Sequence, residues 1–250
     1  MASFLNFTFH LLLFDMSQKI ALSWSGGKDA CLALHMLMQS SNVEVDHLHT
    51  VIGEETDRVG MHGIKKELIE AQAKSLNLPL KISHLPSDKS NKSYDQVMSE
   101  YAEYCKTKGI DTIAFGDIFL EDLRQYREER MAETGIKCVF PLWGKGTKAV
   151  IEEFLDLGYQ TKICAGDASK LNKSLIGQTI NHQLIQNLGE NVDPCGENGE
   201  FHTFAYNGPL FQNSIELQLL SIHSHFYVYK IEDDGKTKEM RSEFYFADFE

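Results

Sequence analysis

The sequence predicts an α/β fold: a parallel sheet covered by helices on both faces, followed by a smaller α+β unit. Three observations predict it. Short apolar runs alternate with amphipathic helical patterns over the first 140 residues. A glycine pair, Gly26-Gly27, separates the first apolar run from the first helical pattern, the place where open α/β sheets hold ligands. After Pro141-Leu142-Trp143 the alternation gives way to a strand-rich tail.

The elements follow in order. Residues 19–24 (KIALSW) are mostly apolar and read as a buried strand. Ala30, Ala33, Leu34, Leu37 and Met38 then fall at helical spacing, and the helix ends near Ser40-Ser41-Asn42. Residues 45–52 alternate as a second strand, 65–76 form a helix with Leu68, Ile69 and Ala73 inward, and 80–85 form a third strand. A helix over 94–108 stops at Gly109 and leads to a fourth strand at 111–115, then to Gly116-Asp117 and a highly charged helix over 121–134. This β-α-β-α-β-α-β-α order implies a Rossmann-like parallel sheet. Beyond it, 149–157 read as a helix, 159–165 as a strand and 184–188 as a short helix, with terminal strands at 215–223, 226–231 and 241–249. A boundary near residue 140 divides the chain into 16–140 and 141–250.

Residues 1–15 (MASFLNFTFHLLLFD) stand outside this pattern. The apolar run 11–14 is too short to span a bilayer, no basic stretch precedes it, and no small-residue cleavage site follows. It is set apart as an N-terminal extension, and neither a signal peptide nor a membrane partner is expected.

Composition narrows the function. Of 250 residues, 42% are hydrophobic and 24% charged, as in an ordinary globular chain. The net charge of -12 argues against nucleic acid as a partner, because binding to phosphates needs a basic surface. Five widely spaced cysteines, an odd number with no C-x-x-C pair, fit reduced thiols in the cytoplasm better than disulfides or a zinc site. The sequence leaves a homo-oligomer open.

The loop Ser25-Gly26-Gly27-Lys28-Asp29 carries the clearest chemistry. Glycines let the backbone turn and bring amide N–H groups close to an oxyanion, and the following helix N-terminus adds donors and partial positive charge. Ser25 can donate its hydroxyl, Lys28 can neutralise phosphate charge, and Asp29 can hold magnesium or cap the helix. Neither the Walker G-x-x-x-x-G-K-[ST] pattern nor G-x-G-x-x-G is present. The plainer reading, a tight turn beside a solvated lysine, suits a lone Gly-Gly better than this full string.

A second polar string runs Gly196-Glu197-Asn198-Gly199-Glu200-Phe201-His202-Thr203. Its glycines suggest a constrained loop, and Glu200 and His202 alternate as on one face of an entering strand. Such a cluster could bind ammonia or an amine, or position a carboxylate through bridging magnesium. A polar hairpin loop with a capping histidine is the plainer alternative.

The S-G-G-x-D string after a first strand resembles the PP-loop of the ATP pyrophosphatases. Ala30 departs from that pattern, standing where the family usually carries Ser or Thr. The PP-loop together with G-E-N-G-E-F-H-T, with Phe115-Gly116-Asp117 ahead of an arginine-rich helix, with Pro141-Leu142-Trp143 and with the segment 58–63 (RVGMHG), is similar to the diphthine–ammonia ligase family over residues 16–249. The resemblance implies ATP and Mg2+, cleavage of ATP to AMP and pyrophosphate, and amidation of an adenylated carboxylate by ammonia. In that family the acceptor is diphthine on elongation factor 2; a different small carboxylate, such as a corrinoid, and a nucleotide-binding module without turnover are the alternatives.

On that reading Ser25, Gly26, Gly27 and Lys28 bind the pyrophosphate end and Asp29 helps hold the metal. Gly116 and Asp117 lie near the nucleotide or reacting centre. Glu197, Asn198, Glu200 and His202, with Thr203, build the acceptor or ammonia pocket. Arg58 and His62 are rim candidates for the nucleotide. Arg124, Arg127 and Arg130 recur at i, i+3, i+6 among carboxylates, by default the pattern of a solvated, ion-paired face, with a substrate clamp as the sharper alternative. Cys195 raises the further idea of sulfur transfer, which would require an activated thiolate.

Overall fold

The computed structural model describes residues 17–88, 90–233 and 236–250. The stretch 1–15 set apart above lies outside the described residues.

A five-stranded parallel sheet is ordered β3-β2-β1-β4-β5. Its strands are β1 (Gln18–Ser23), β2 (Val43–Gly53), β3 (Leu80–Leu85), β4 (Thr112–Ala114) and β5 (Lys137–Val139). The helices between them are α1 (Lys28–Met38), α2 (Lys66–Ser75), α3 (Asn91–Thr107) and α4 (Glu121–Thr134). The chain moves outward from β1 to β3, then crosses back to place β4 on the other side of β1. The order therefore reverses between β1 and β4, and the carboxyl ends of those two strands frame the crevice where such sheets bind ligands.

A four-stranded antiparallel sheet follows, ordered β7-β6-β9-β8. It comprises β6 (Gln160–Asp167), β7 (Phe201–Asn207), β8 (Leu219–Asp233) and β9 (Lys236–Phe249), with α5 (Thr147–Asp156) before it and α6 (His182–Gln186) within it. One hydrophobic core joins the two sheets. Leu32 and Leu34 of α1, Ile151 and Phe154 of α5, Ile163 of β6 and Phe204 of β7 belong to a single buried cluster. The opposite face of the parallel sheet packs Met98, Tyr101 and Met131 of α3 and α4 against Ile113 and Phe115. Among the described residues no helix is long and apolar enough to cross a membrane.

Two expectations about elements change. β5 was not expected: three residues, Lys-Cys-Val, are too short and too mixed to signal a strand, and parallel pairing with β4 makes them one. The two strands expected at 215–223 and 226–231 are one strand, β8, which starts only at Leu219. No Gly or Pro interrupts 219–231, and the ladder with β9 continues through His225 and Phe226, so nothing breaks the strand.

Candidate active site

The phosphate-type loop is held from three sides. Trp24, at the end of β1, donates its backbone N–H to His49 of β2 at 2.7 Å. Gly26 adopts φ +80°, a left-handed conformation that favours glycine. Its carbonyl accepts from the Ala205 amide of β7 at 2.9 Å and from the Gln72 side chain of α2 at 2.9 Å. Ser25 Oγ accepts from the Gly27 amide at 3.3 Å, and Thr203 Oγ1 accepts from the Lys28 amide at 3.0 Å. The amides of Asp29 and Ala30 lie in the first turn of an 11-residue helix, where N–H groups have no intrahelical acceptor. They are the donors that a bound anion would use.

Over this loop lies a cleft of about 260 Å³, bounded on the sheet side by Phe115, Gly116 and Asp117 and on the other by Glu197, His202 and Thr203. Lys28 is almost fully buried, at 2% exposure. Its ammonium sits 2.8 Å from Asp29 Oδ2 and also donates to the Cys195 carbonyl. Burial, the largest single influence, works against that charge, but Asp29, Cys195 and Glu197 together outweigh it and hold the lysine protonated, above its usual range. Asp29 Oδ1 is buried without a protein partner. Among the described residues no three His, Cys, Asp or Glu side chains converge as a protein metal cage. The unpartnered Asp29 oxygen is instead a single carboxylate ligand that could help hold a magnesium ion.

Gly116 is needed for close approach. A Cβ there would lie 3.0 Å from the Ala30 amide nitrogen and 3.0 Å from the Asp29 carbonyl carbon. Asp117 faces the cleft, paired at 2.9 Å with Arg127. Glu197 reaches across to accept from the Ile118 amide at 2.8 Å. Burial, with the nearby Asp29 carboxylate adding to it, lifts the Glu197 carboxyl to about 7 despite that hydrogen bond. His62 donates Nδ1–H to the Thr203 carbonyl at 3.1 Å, and burial together with the Lys28 charge lowers its pKa to about 4. The His202 ring lies 4.7 Å from it, and its pKa is lowered by burial, then by His62 and Lys28. Both imidazoles are neutral near pH 7.

Ser25, Lys28, Asp29, His62, Gly116, Asp117, Glu197, His202 and Thr203 thus line one cleft, with Gly26 and Gly27 supplying the loop beneath. Three expected residues, Glu200, Asn198 and Arg58, do not line the cleft. Glu200, 4% exposed, turns inward: Oε1 accepts from the Asp193 amide at 3.1 Å and from Asn198 Nδ2 at 3.3 Å, and Oε2 from the Asn198 amide at 3.1 Å. Glu200 and Asn198 therefore stitch the loop together rather than face the cleft. Arg58 donates to the Gly63 carbonyl and to Asp248 of β9, each at 2.7 Å, bracing the two sheets away from the nucleotide loop. Thr203 lines the cleft, but its hydroxyl is engaged by the Lys28 amide.

Of the three stripe arginines, Arg127 departs from the solvated face: it enters the cleft, as the clamp alternative would have it, and lies 4.5 Å from the Phe115 ring, while Arg124 and Arg130 do form ion pairs with Glu128 and Glu133. One residue escaped sequence reasoning. Gln72 contacts the loop from α2; its signal was a polar side chain on an apolar face, next to Leu68, Ile69 and Ala73. Cys195 is no activated thiol. Its Sγ donates to the Thr147 carbonyl at 3.0 Å, and burial raises its pKa, which removes the basis for sulfur transfer.

A parallel sheet whose switch point carries this loop, with a lysine and an aspartate over it, defines a nucleotide-binding α/β protein of the PP-loop kind. Family models for the diphthamide synthase N-terminal domain and the diphthamide synthase C-terminal domain match residues 18–138 and 146–236. The chain belongs to the diphthine–ammonia ligase family. It is similar to the diphthine–ammonia ligase of Schizosaccharomyces pombe, 24% identical over 219 residues covering 80% of this chain and 36% of that protein. The chain thus spans about a third of that relative's length. Similarity to the diphthine–ammonia ligase of Danio rerio is 25% identity over 217 residues, covering 76% of this chain and 83% of that protein. Among solved structures, a predicted subunit of tRNA methyltransferase from Methanocaldococcus jannaschii covers 60% of this chain and 80% of its own, at 18% identity and a TM-score of 0.39. A likeness that loose carries no functional weight.

Proposed function

We propose that the chain is an ATP-dependent amide ligase that adenylates a carboxylate and amidates it with ammonia, the acceptor being of the diphthine type, on an elongation factor. One observation carries the reading: the phosphate loop and the Glu197–Thr203 string, far apart in sequence, face each other across one cleft. Family membership points to the same chemistry.

In the first half-reaction an acceptor carboxylate oxygen attacks the α-phosphorus of ATP, the α–β bridging bond breaks, and pyrophosphate leaves. The Asp29 and Ala30 amides and Lys28 bind the departing phosphates. Magnesium, held by Asp29, would supply charge neutralisation at the phosphate oxygens. In the second half, ammonia attacks the acyl carbon and AMP departs. Glu197, with its carboxyl poised near 7, takes the proton that the incoming nitrogen must shed. Asp117, held by Arg127, lies near the nucleotide or reacting centre, and His202 shapes the acceptor side. Residues 16–140 supply the nucleotide side and 141–250 the acceptor side, in a cytoplasmic protein whose five cysteines are free.

The test is incubation with magnesium, α-labelled ATP, ammonium and a panel of carboxylates that includes diphthine-bearing elongation factor. AMP and pyrophosphate appearing only with one acid and ammonia supports the ligase and names its acceptor. ADP as the product sinks the α–β cleavage.

A further inference from the structure

Gln72 lies outside both sequence motifs, in α2, and is fully buried at 0% exposure. Its amide is completely engaged. Oε1 accepts from the Trp24 indole at 2.9 Å, and Nε2 donates to the Gly26 carbonyl at 2.9 Å and to the Ala205 carbonyl at 2.6 Å. The three partners belong to the end of β1, the phosphate loop and the strand that bears His202 and Thr203. The network dictates the amide's orientation: reversed, its oxygen would face two carbonyls and its NH2 an indole N–H. The Gly26 carbonyl takes its second bond from the Ala205 amide, so both of its lone pairs are used. Space is equally exclusive, since a Cβ on Gly26 would lie 2.7 Å from Gln72 Oε1. A buried amide is costly unless bonded, and the bonds of this one lead to the end of β1, to the loop that follows it and to the strand opposite.

We propose that Gln72 is a positioning residue: its amide pins the phosphate loop to β7, so that nucleotide and acceptor groups share one frame. The chemistry it serves rests on the ligase reading above, whereas the pin itself does not. Acyl transfer between two half-sites is sensitive to their relative position, and a misplacement of about 1 Å can lower the rate about 10²-fold.

The experiment uses the full chain in four forms: wild type, Gln72→Met, Gln72→Glu and a comparator, Met98→Ala, which thins the core on the far face of the sheet. Steady-state kinetics are joined to amide hydrogen exchange with and without a non-hydrolysable ATP analogue. In both Gln72 variants kcat falls on the order of 10²-fold, while KM for ATP changes by less than about threefold because the first-turn amides of α1 remain. Exchange of the Ala205 and Lys28 amides accelerates, and the analogue no longer slows exchange at Ala205. Met98→Ala loses thermal stability yet keeps wild-type kcat and wild-type exchange at those amides. The proposal is overturned if kcat merely tracks stability across the set, or if Ala205 exchange is unchanged in Gln72→Met. Should Gln72→Met not fold, Gln72→Glu carries the test, since it keeps the Trp24 acceptor and sets a carboxylate against two carbonyls. If the wild type neither binds the analogue nor turns over, the ligase reading fails, and the exchange comparison without ligand still decides the pin.

Discussion

Lys28→Met removes one ammonium and keeps much of the side chain's bulk, so its consequences isolate the charge. Lys28 Nζ is 2.8 Å from Asp29 Oδ2, and the two side chains are 3% and 25% exposed. At an effective dielectric of about 20, unit charges at that separation attract by about 6 kcal/mol gross. Desolvation of both ions offsets much of this, so the pair's net worth is small. Removing one partner is another matter: it strands Asp29 beside an unpaired Cys195 carbonyl, and breaking a buried pair costs about 3–5 kcal/mol. For a chain of this size a loss of 1 kcal/mol lowers the melting temperature by about 2–4 °C, so the midpoint drops by roughly 6–20 °C. Adding Asp29→Asn removes the stranded charge and recovers most of the loss. Urea unfolding without nucleotide measures the stabilities, and calorimetric titration with ATP and magnesium measures binding. Both variants bind ATP far more weakly than wild type, because the phosphate-facing cation is gone. A single-variant loss below about 1 kcal/mol, or no recovery in the double variant, would refute the coupling. Undiminished ATP binding would refute the role of Lys28.

Three further outcomes are expected. Because burial raises the Glu197 carboxyl to about 7, the fold disfavours its ionised form, and wild-type stability declines as pH rises from the unfolded value of 4.5 to about 7. The amidation rate, which needs the carboxylate, rises over the limb near 7; Glu197→Gln flattens both profiles, and a limb that persists in a pH–rate series assigns it to another group. Gly116→Ala drives a methyl to 3.0 Å from the first turn of α1, costing about 1–3 kcal/mol by overpacking and weakening nucleotide binding more than tenfold, as equilibrium titration would show. Cys195→Ser keeps a donor for the Thr147 carbonyl, so amide formation stays within about threefold of wild type, an outcome that a thiol nucleophile would not permit.

The parallel sheet was legible because its signals are local. Residues 80–85 and the helix over 121–134 match the structure residue for residue, since an apolar run and a continuous charged helical pattern are written in neighbouring positions. β5 and the uninterrupted β8 were not, because pairing with β4 and β9 creates them. The same division runs through the site. Backbone chemistry at Gly26, Gly27 and Gly116 could be read from glycine placement. Side-chain direction could not: nothing in G-E-N-G-E-F-H-T separates Glu197, which crosses to the Ile118 amide, from Glu200, which folds back onto its own loop. Arg127 differs from Arg124 and Arg130 only by where α4 meets Asp117.

The bond from the Lys28 amide to Thr203 joins residues 175 positions apart. Sheet and helices around β1 can form as soon as their residues exist, but the floor of the phosphate loop cannot. Closing so long a span has an entropic cost that only late, non-local contacts repay. During synthesis the loop therefore leaves the ribosome long before the strand that completes it. The support that β7 gives the loop arrives only once residues 201–207 have been made, and a truncated product ending before β7 would carry the whole nucleotide loop, with its holds on β2 and α2, and still lack that one.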